Sequence, residues 1–311
     1  MLDEFVWGSV GRISPEAPVP VVEVQSESSY PGGAANVARN LREFTASVTM
    51  LGMVGSDVYG EKLTGLLRSE GISTKGLFTD PLIPTIVKTR IIAQRQQVVR
   101  VDREQRLSPG SARADILDKA RELVGGADAV LIEDYGKGFL DQRLVSAVLE
   151  TARERGVIVT CDPNPKNPLE WPGIAAIKPN RSEAFAAAGI PPSPPVHPVE
   201  KDEALMRVGK ILLDRWNAGA LLITLSEQGM MLFRPGHAPY HTPTRAREIF
   251  DVSGAGDTSI SLYTLGMAAE ATPEEAAELA NHAAGVVVGK LGTATCTRSE
   301  LEESFRDLHQ T

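Results

Sequence analysis

Asp251-Val252-Ser253-Gly254-Ala255-Gly256-Asp257-Thr258 is the stretch with the clearest chemical content. Two glycines flanking one alanine let the backbone turn sharply and leave room for a close approach. An apolar run with helical character, Ser259 to Ala268, follows. A glycine turn that opens a helix presents unpaired N–H groups and the positive end of the helix dipole, a natural anion site. Asp257 falls inside that site. A purely structural carboxylate there would compete with a bound phosphate. A base that takes a proton from an attacking hydroxyl, beside a hole for the transferring phosphoryl group, explains it better. The catalytic set read here is Asp257 with the N–H groups of Gly254, Ala255 and Gly256. The plainer alternative is an aspartate that caps the helix.

Further polar clusters fall where strands are expected to end: Glu133-Asp134-Tyr135-Gly136-Lys137-Gly138, Asp162-Pro163-Asn164-Pro165, Lys178 to Glu183, and Thr224-Leu225-Ser226-Glu227-Gln228-Gly229. Open α/β sheets bind ligands at the carboxyl ends of their strands. Asn180 and Glu183 are three residues apart and share a face of a helical turn. An amide and a carboxylate suit a hydrated magnesium ion. Equally, Asn180 is an N-cap whose capping box Glu183 completes. There is no phosphate-binding Gly-x-x-x-x-Gly-Lys-Ser/Thr loop, no strand-borne Gly-x-Gly-x-x-Gly with a following acid, and no zinc-type His/Cys spacing. The five histidines are scattered.

These groups need a scaffold. Strands are expected at Val48–Val54, Ala129–Glu133, Val157–Cys161, Ile174–Ile177 and Leu221–Leu225. Helices are expected from Pro31-Gly32-Gly33-Ala34-Ala35-Asn36 onward, up to about Glu70, at Ala112–Val124, Gln142–Arg155, Ser182–Ala188 and Glu200–Asn217. The alternation implies a mostly parallel sheet covered on both faces. Gly11–Val24, with Pro18 and Pro20, reads as an edge or ribbon. Thr85–Val101 reads as a hairpin, and Met1–Gly8 as the end of a strand and a turn. At 311 residues, 42% hydrophobic and net charge −8, the chain is expected to be globular, with no nucleic-acid or membrane partner. Two cysteines, no apolar span and no leader point to a cytoplasmic protein.

Asp251–Thr258, Gly32-Gly33-Ala34-Ala35-Asn36 and Asn180–Glu183 together resemble the three ordered motifs of the PfkB/ribokinase carbohydrate kinases, over essentially the whole chain. Within that family, Arg12–Val22, Pro31–Asn40, Gln96-Gln97…Arg100-Val101-Asp102, Asp134–Gly138 and Gly289–Thr295 resemble the kinases of D-glycero-β-D-manno-heptose 7-phosphate. The resemblance implies a three-layer α/β/α ribokinase-like sandwich, a single kinase domain over 1–311. Segments 12–30 and 82–103 would form a small β-lid that pairs into a homodimer. It implies ATP and Mg2+, with a monovalent cation possible, and phosphorylation of an anomeric hydroxyl to give the 1,7-bisphosphate in ADP-heptose synthesis. Asp3, Gly33, Asn36, Arg100, Asp134 and Lys137 would bind the sugar phosphate. Asn180, Glu183, Ser226, Gly229, Asn281 and His282 would lie near the nucleotide, with Asn180 and Glu183 at the metal through water. Arg90, Arg95, Arg100 and Arg103 concentrate in the second lid segment, and alternation along a strand lets one or two of them face a substrate phosphate. Two departures stand out. The family's usual first strand, ending Gly-Asp ahead of Met1, is not in the sequence, and no nucleotidyltransferase domain follows the kinase. A kinase for another sugar and a non-catalytic nucleotide- or sugar-binding protein remain the alternatives.

Overall fold

The computed structural model describes residues 1–94, 96–106, 110–246, 250–290 and 292–306. Its body is a six-stranded sheet in the order β12-β11-β10-β9-β8-β7. Strands β7 (Ala129–Glu133), β8 (Ile158–Asp162), β9 (Ala176–Ile177) and β10 (Ala220–Thr224) run parallel; β11 (Met230–Phe233) and β12 (Tyr240–Thr242) are antiparallel. Residues pointing to either side of these strands are buried, as expected of a sheet covered on both faces. Leu221, Ile223, Met231 and Phe233 pack with α4 (Gln142–Arg155), α5 (Arg181–Ala188) and α6 (Glu203–Trp216). Leu222, Met230 and Leu232 face α7 (Ala255–Ala268) and α8 (Pro273–Val288). Three layers result, and every parallel strand ends on the same side.

The lid is a four-stranded sheet, β2-β1-β5-β6. It is larger than the expected segments: β1 runs Leu2–Ile13, β2 Pro20–Pro31, β5 Val87–Ala93 and β6 Gln96–Arg103. Met1–Gly8 is therefore not a strand end and a turn. β1 continues through Gly8, where a register shift against β2 absorbs the irregularity. An added Cβ at Gly8 would lie 2.4 Å from the Glu23 carbonyl oxygen, so glycine here serves a close strand approach. Leu82–Ile86 precedes the hairpin without joining it. At its root the lid packs Leu2 and Val87 against Leu63 and Leu67 of α2 (Val58–Ser69).

β3 (Thr49–Gly55) and β4 (Ser73–Asp80) form a separate parallel pair. Among the described residues no strand bridges β3 and β7. A cavity of about 720 Å³ lies between them, walled by Met50–Val54, Ala129–Glu133, α1 (Ala34–Arg42), α7, α3 (Arg113–Val124) and α4. Met1 lines it, and burial pushes the Met1 amino group down to about 6. A strand ahead of Met1 would satisfy both open edges and fill the space. We therefore expect a chain extended by one apolar strand ahead of Met1 to melt at least about 5 °C above the 311-residue chain. Equal melting midpoints would show that the slot needs no strand.

Candidate active site

Gly254 takes a left-handed φ of 81° and caps the amino end of α7. The Ala255 N–H turns back to the Val252 carbonyl at 3.3 Å. Among the described residues, the N–H groups of Gly254, Gly256 and Asp257 meet no acceptor. Of the expected donors Ala255 is thus engaged within the turn, whereas the N–H of Asp257, not among those expected, is open. The reason is the tight turn, which uses one donor to close.

Asp257 is held from two sides. Asn36 Nδ2 of α1 donates to Oδ2 at 2.7 Å, and the Tyr135 hydroxyl, from the loop after β7, donates to Oδ1 at 3.0 Å. Burial raises the Asp257 pKa, and the bonds from Asn36 and Tyr135 and the Lys178 charge work against that rise. A second buried bond, from Thr258 Oγ1 to Asn40 Oδ1 at 2.9 Å, locks α1 to α7 one turn on. Gly33 has φ +58°, a conformation L side chains rarely adopt, and a Cβ there would lie 2.9 Å from Met1 Cε and 3.1 Å from the Tyr135 ring. At Gly32 a Cβ would sit 2.0 Å from Asp3 Oδ2, so the paired glycines admit Asp3 and Tyr135 to the site.

The ends of β8 and β9 add a buried ion pair, Lys178 Nζ to Asp162 Oδ2 at 2.7 Å, directly behind Gly256. Burial pushes Asp162 up to about 6 despite this partner. Burial works to lower Lys178, but the Asp162 charge and hydrogen bond outweigh it, and its pKa is raised. Glu133, aligned with Asp162 in the sheet, is pushed well up by burial and by Asp162 and Asp257, which favours the neutral acid. Lys178, Asp162 and Tyr135 all stand in the strand-end clusters, but spacing along the chain carried no sign of which would converge.

Register places Asp3, Lys88 and Asp102 abreast on one lid face, followed by Phe5, Arg90 and Arg100. Arg90 Nη1 bonds Asp3 Oδ1 at 2.6 Å. Arg100 binds Asp102 through Nε and Nη2 at 2.8 and 3.0 Å and is half exposed. Lys88 reaches Asp102 at 3.0 Å and Glu104 at 3.5 Å, and Lys137 reaches Glu104 at 2.6 Å. Two of the four lid arginines thus share the site face. Arg103 is on the other face, over the Tyr59 ring, and Arg95 lies outside the described residues, as does Leu291. Lys88 belongs to the cluster and was not anticipated; its signal was the strand alternation itself, counted from Arg90.

Several expected ligands also make structural bonds. Both Asp134 oxygens are taken, by the Gly136 N–H at 2.7 Å and by Asn167 Nδ2 at 2.9 Å, so this carboxylate shapes the loop that carries Tyr135 and Lys137. Asn180 and Glu183 form the complete capping box of α5. Ser226 and Gly229 both take positive φ in the β10–β11 turn, and a Cβ on Gly229 would lie 2.1 Å from the Thr242 carbonyl oxygen. Asn281 Nδ2 ties α8 to Thr242 Oγ1 and the Pro243 carbonyl at 2.8 and 2.7 Å. His282 does not share that direction, because successive helical residues diverge by about 100°. Its ring is buried under Phe305 of α9 (Arg298–Arg306), with centroids 3.8 Å apart, and burial brings its pKa down to about 4.

A three-layer body, a β-lid over the strand ends and a buried carboxylate at a glycine-gated helix define a small-molecule kinase of the α/β/α class. The profile described as "pfkB family carbohydrate kinase" matches residues 5–300, and the chain belongs to that family. It is 44% identical over 303 residues to the "Bifunctional protein HldE" of Pelobacter propionicus, covering 97% of this chain and 60% of that protein. To the protein of the same name from Desulfatibacillum aliphaticivorans it is 41% identical over 309 residues, covering 99% and 62%. The chain thus spans less than two thirds of these relatives. Escherichia coli phosphofructokinase-2 in complex with substrates and products has the same fold, with a TM-score of 0.77 at 18% identity over 99% of this chain and 96% of that one. Arabidopsis thaliana ribokinase complexed with ribose and ATP matches with a TM-score of 0.73 at 17% identity, over 98% and 96%.

Proposed function

We propose that this chain transfers the γ-phosphoryl group of ATP to the anomeric hydroxyl of a sugar phosphate, with D-glycero-β-D-manno-heptose 7-phosphate as the substrate and the 1,7-bisphosphate as product. The reading rests on one observation above all: the buried Asp257 carboxylate lies at the amino end of α7 beside open N–H groups, facing a lid whose inner face carries Lys88, Arg90 and Arg100. The resemblance of Arg12–Val22, Pro31–Asn40 and Gln96…Asp102 to the heptose 7-phosphate kinases favours that sugar, in ADP-heptose precursor synthesis, over others.

In this reading Asp257 takes the proton of the attacking hydroxyl as the oxygen bonds phosphorus, and the leaving ADP departs from the opposite side. The N–H groups of Gly254, Gly256 and Asp257 hold the transferring group, and Lys178 sets a positive charge behind them. Asp3, Gly33 and Asn36 bound the sugar pocket. Among the described residues no group of three or more acidic, His or Cys side chains is placed to ligate a metal directly, so a divalent ion would be held through water and the nucleotide phosphates. Magnesium, held through water near Glu183 and the nucleotide phosphates, would neutralise charge during transfer; Asn180 Oδ1 already accepts from Ser182 and Glu183. The nucleotide would lie over Ser226, Gly229 and the β12 end that Asn281 fixes.

Asp257→Asn is expected to lower kcat by about 10²–10⁴-fold while ATP and sugar binding persist, because the amide keeps the shape but accepts no proton. Turnover measured on a sugar panel checks this; retention of more than about a tenth of the rate removes the base from Asp257. The same panel separates the heptose phosphate from other sugars. Arg100→Ala should raise KM for the sugar phosphate by about tenfold, with KM for ATP unchanged. Phosphorylation of the unphosphorylated heptose with equal efficiency would contradict that role. The lid is also proposed to pair two copies into a homodimer: among the described residues no strand pairs with its edges β2 and β6, and Ile13, Val24, Val99 and Val101 are exposed on it. Light scattering at micromolar concentration should give twice the chain mass, and a monomer would refute the pairing.

A further inference from the structure

Of the two donors on Asp257, Asn36 belongs to the glycine motif of α1, whereas Tyr135, in the loop after β7, has been given no role of its own. We infer that Tyr135 is a positioning residue for the base: its hydroxyl orients the Asp257 carboxylate and keeps it ionised, so that a free lone pair meets the sugar hydroxyl. The inference rests on the reading of Asp257 as the base.

Three observations carry it. First, the geometry is complete. Tyr135 donates at 3.0 Å to Oδ1 while Asn36 occupies Oδ2, so the carboxylate plane is fixed from two directions. Second, the loop that presents Tyr135 is pinned on both sides of it. Asp134 accepts from the Gly136 N–H and from Asn167, Gly136 has φ +65°, and a Cβ there would lie 3.1 Å from the Asn164 amide. The ring itself lies against Gly33. A donor held this way is already organised before substrate arrives, so little ordering remains for the reaction. Third, the surroundings oppose ionisation. Near Asp257 stand Asp3 of β1, itself paired with Arg90 of β5, Glu133 of β7 and Asp162 of β8, and among the described residues Lys178 is the cation that acts on Asp257 directly. Burial and the Asp257 charge raise the phenol's own pKa well above its usual value, so Tyr135 stays a neutral donor. A phenylalanine would fill the same space beside Gly33 and leave Oδ1 without its donor.

The sign of the effect follows. A hydrogen bond to the charged form lowers a carboxylate's pKa, and losing it raises that pKa. The base works deprotonated, so the acidic limb of kcat/KM should move to higher pH in Tyr135→Phe, by about one pH unit. At the acid end the variant should run about tenfold slower than the unaltered enzyme, and the gap should close on the alkaline side. KM for ATP should not change. Asp162, whose carboxyl burial pushes up to about 6, is common to both proteins, so the difference between the two profiles reports Asp257.

A uniform loss at every pH, or an unshifted profile, overturns the inference. If Asp257→Asn is inactive and Tyr135→Phe has an unmoved limb, the role of Tyr135 alone falls. If Asp257→Asn keeps its rate, the base assignment falls and takes this inference with it. Should the phenylalanine variant fail to fold, 3-fluorotyrosine placed at position 135 keeps the ring and the hydroxyl but donates more strongly. It should move the limb to lower pH, and no movement overturns the inference just as well.

Discussion

A carboxylate buried between α1 and α7 is the constraint around which the rest of the molecule is arranged. An isolated charge in a low-dielectric interior costs far more than any single contact returns. Each hydrogen bond to a charged group contributes about 1.5–3 kcal/mol, and a helix amino end up to about 2 kcal/mol. Asn36, Tyr135 and the α7 terminus therefore offset only part of the burial, and the raised Asp257 pKa is the remainder. That residue of unfavourable energy suits the base proposed for Asp257, which must be willing to accept a proton. It also explains why three separate elements converge here, since no single one could stabilise the charge.

The same economy runs through the neighbouring groups. Lys178 and Asp162 answer each other in the interior, and neither could be removed without stranding its partner. Glu133 has no comparable partner and is shifted toward the neutral acid. On the lid, in contrast, Lys88, Arg100, Lys137, Asp102 and Glu104 form a chain of exposed pairs that water screens. Such pairs exchange partners at small cost, which suits the proposed role of this face in receiving a charged substrate. Buried pairs set the position of the chemistry; exposed pairs leave the entrance adaptable.

The architecture separates these two regimes. The parallel body, covered on both faces, supplies rigid strand ends for Tyr135, Asp162 and Lys178. The lid touches that body at its root through Leu2 and Val87, and near its far strand through the Lys137–Glu104 pair. Between β3 and β7 the body has a cavity close behind this machinery, with Glu133 in its wall. The site is thus assembled from parts whose packing is tight at α1–α7 and open one strand away.

Residues of fixed local meaning were legible in the chain itself. The glycines around Asp257 and those before Asn36 mark helix starts, because glycine takes the positive φ seen at Gly254 and Gly33 without steric cost. Strand–helix alternation marks the layered body, because periodicity follows directly from how each element buries one face. Family resemblance extended this to a kinase and to a lid. Spacing could not say that Tyr135, 122 positions from Asp257, would donate to it, nor that Asp134 beside it would turn away to its own loop. It could suggest that only one or two lid arginines share a face, but the pairing of β5 with β6 chose Arg90 and Arg100 and brought in Lys88. Asn180 and Glu183 met as a capping box because a short-range bond forms with the helix turn itself. His282 went beneath Phe305 because α9 packs on that side of α8. Contacts within one turn are written in local order; contacts between strand ends exist only after the sheet has set its register, and it is the latter that make the site.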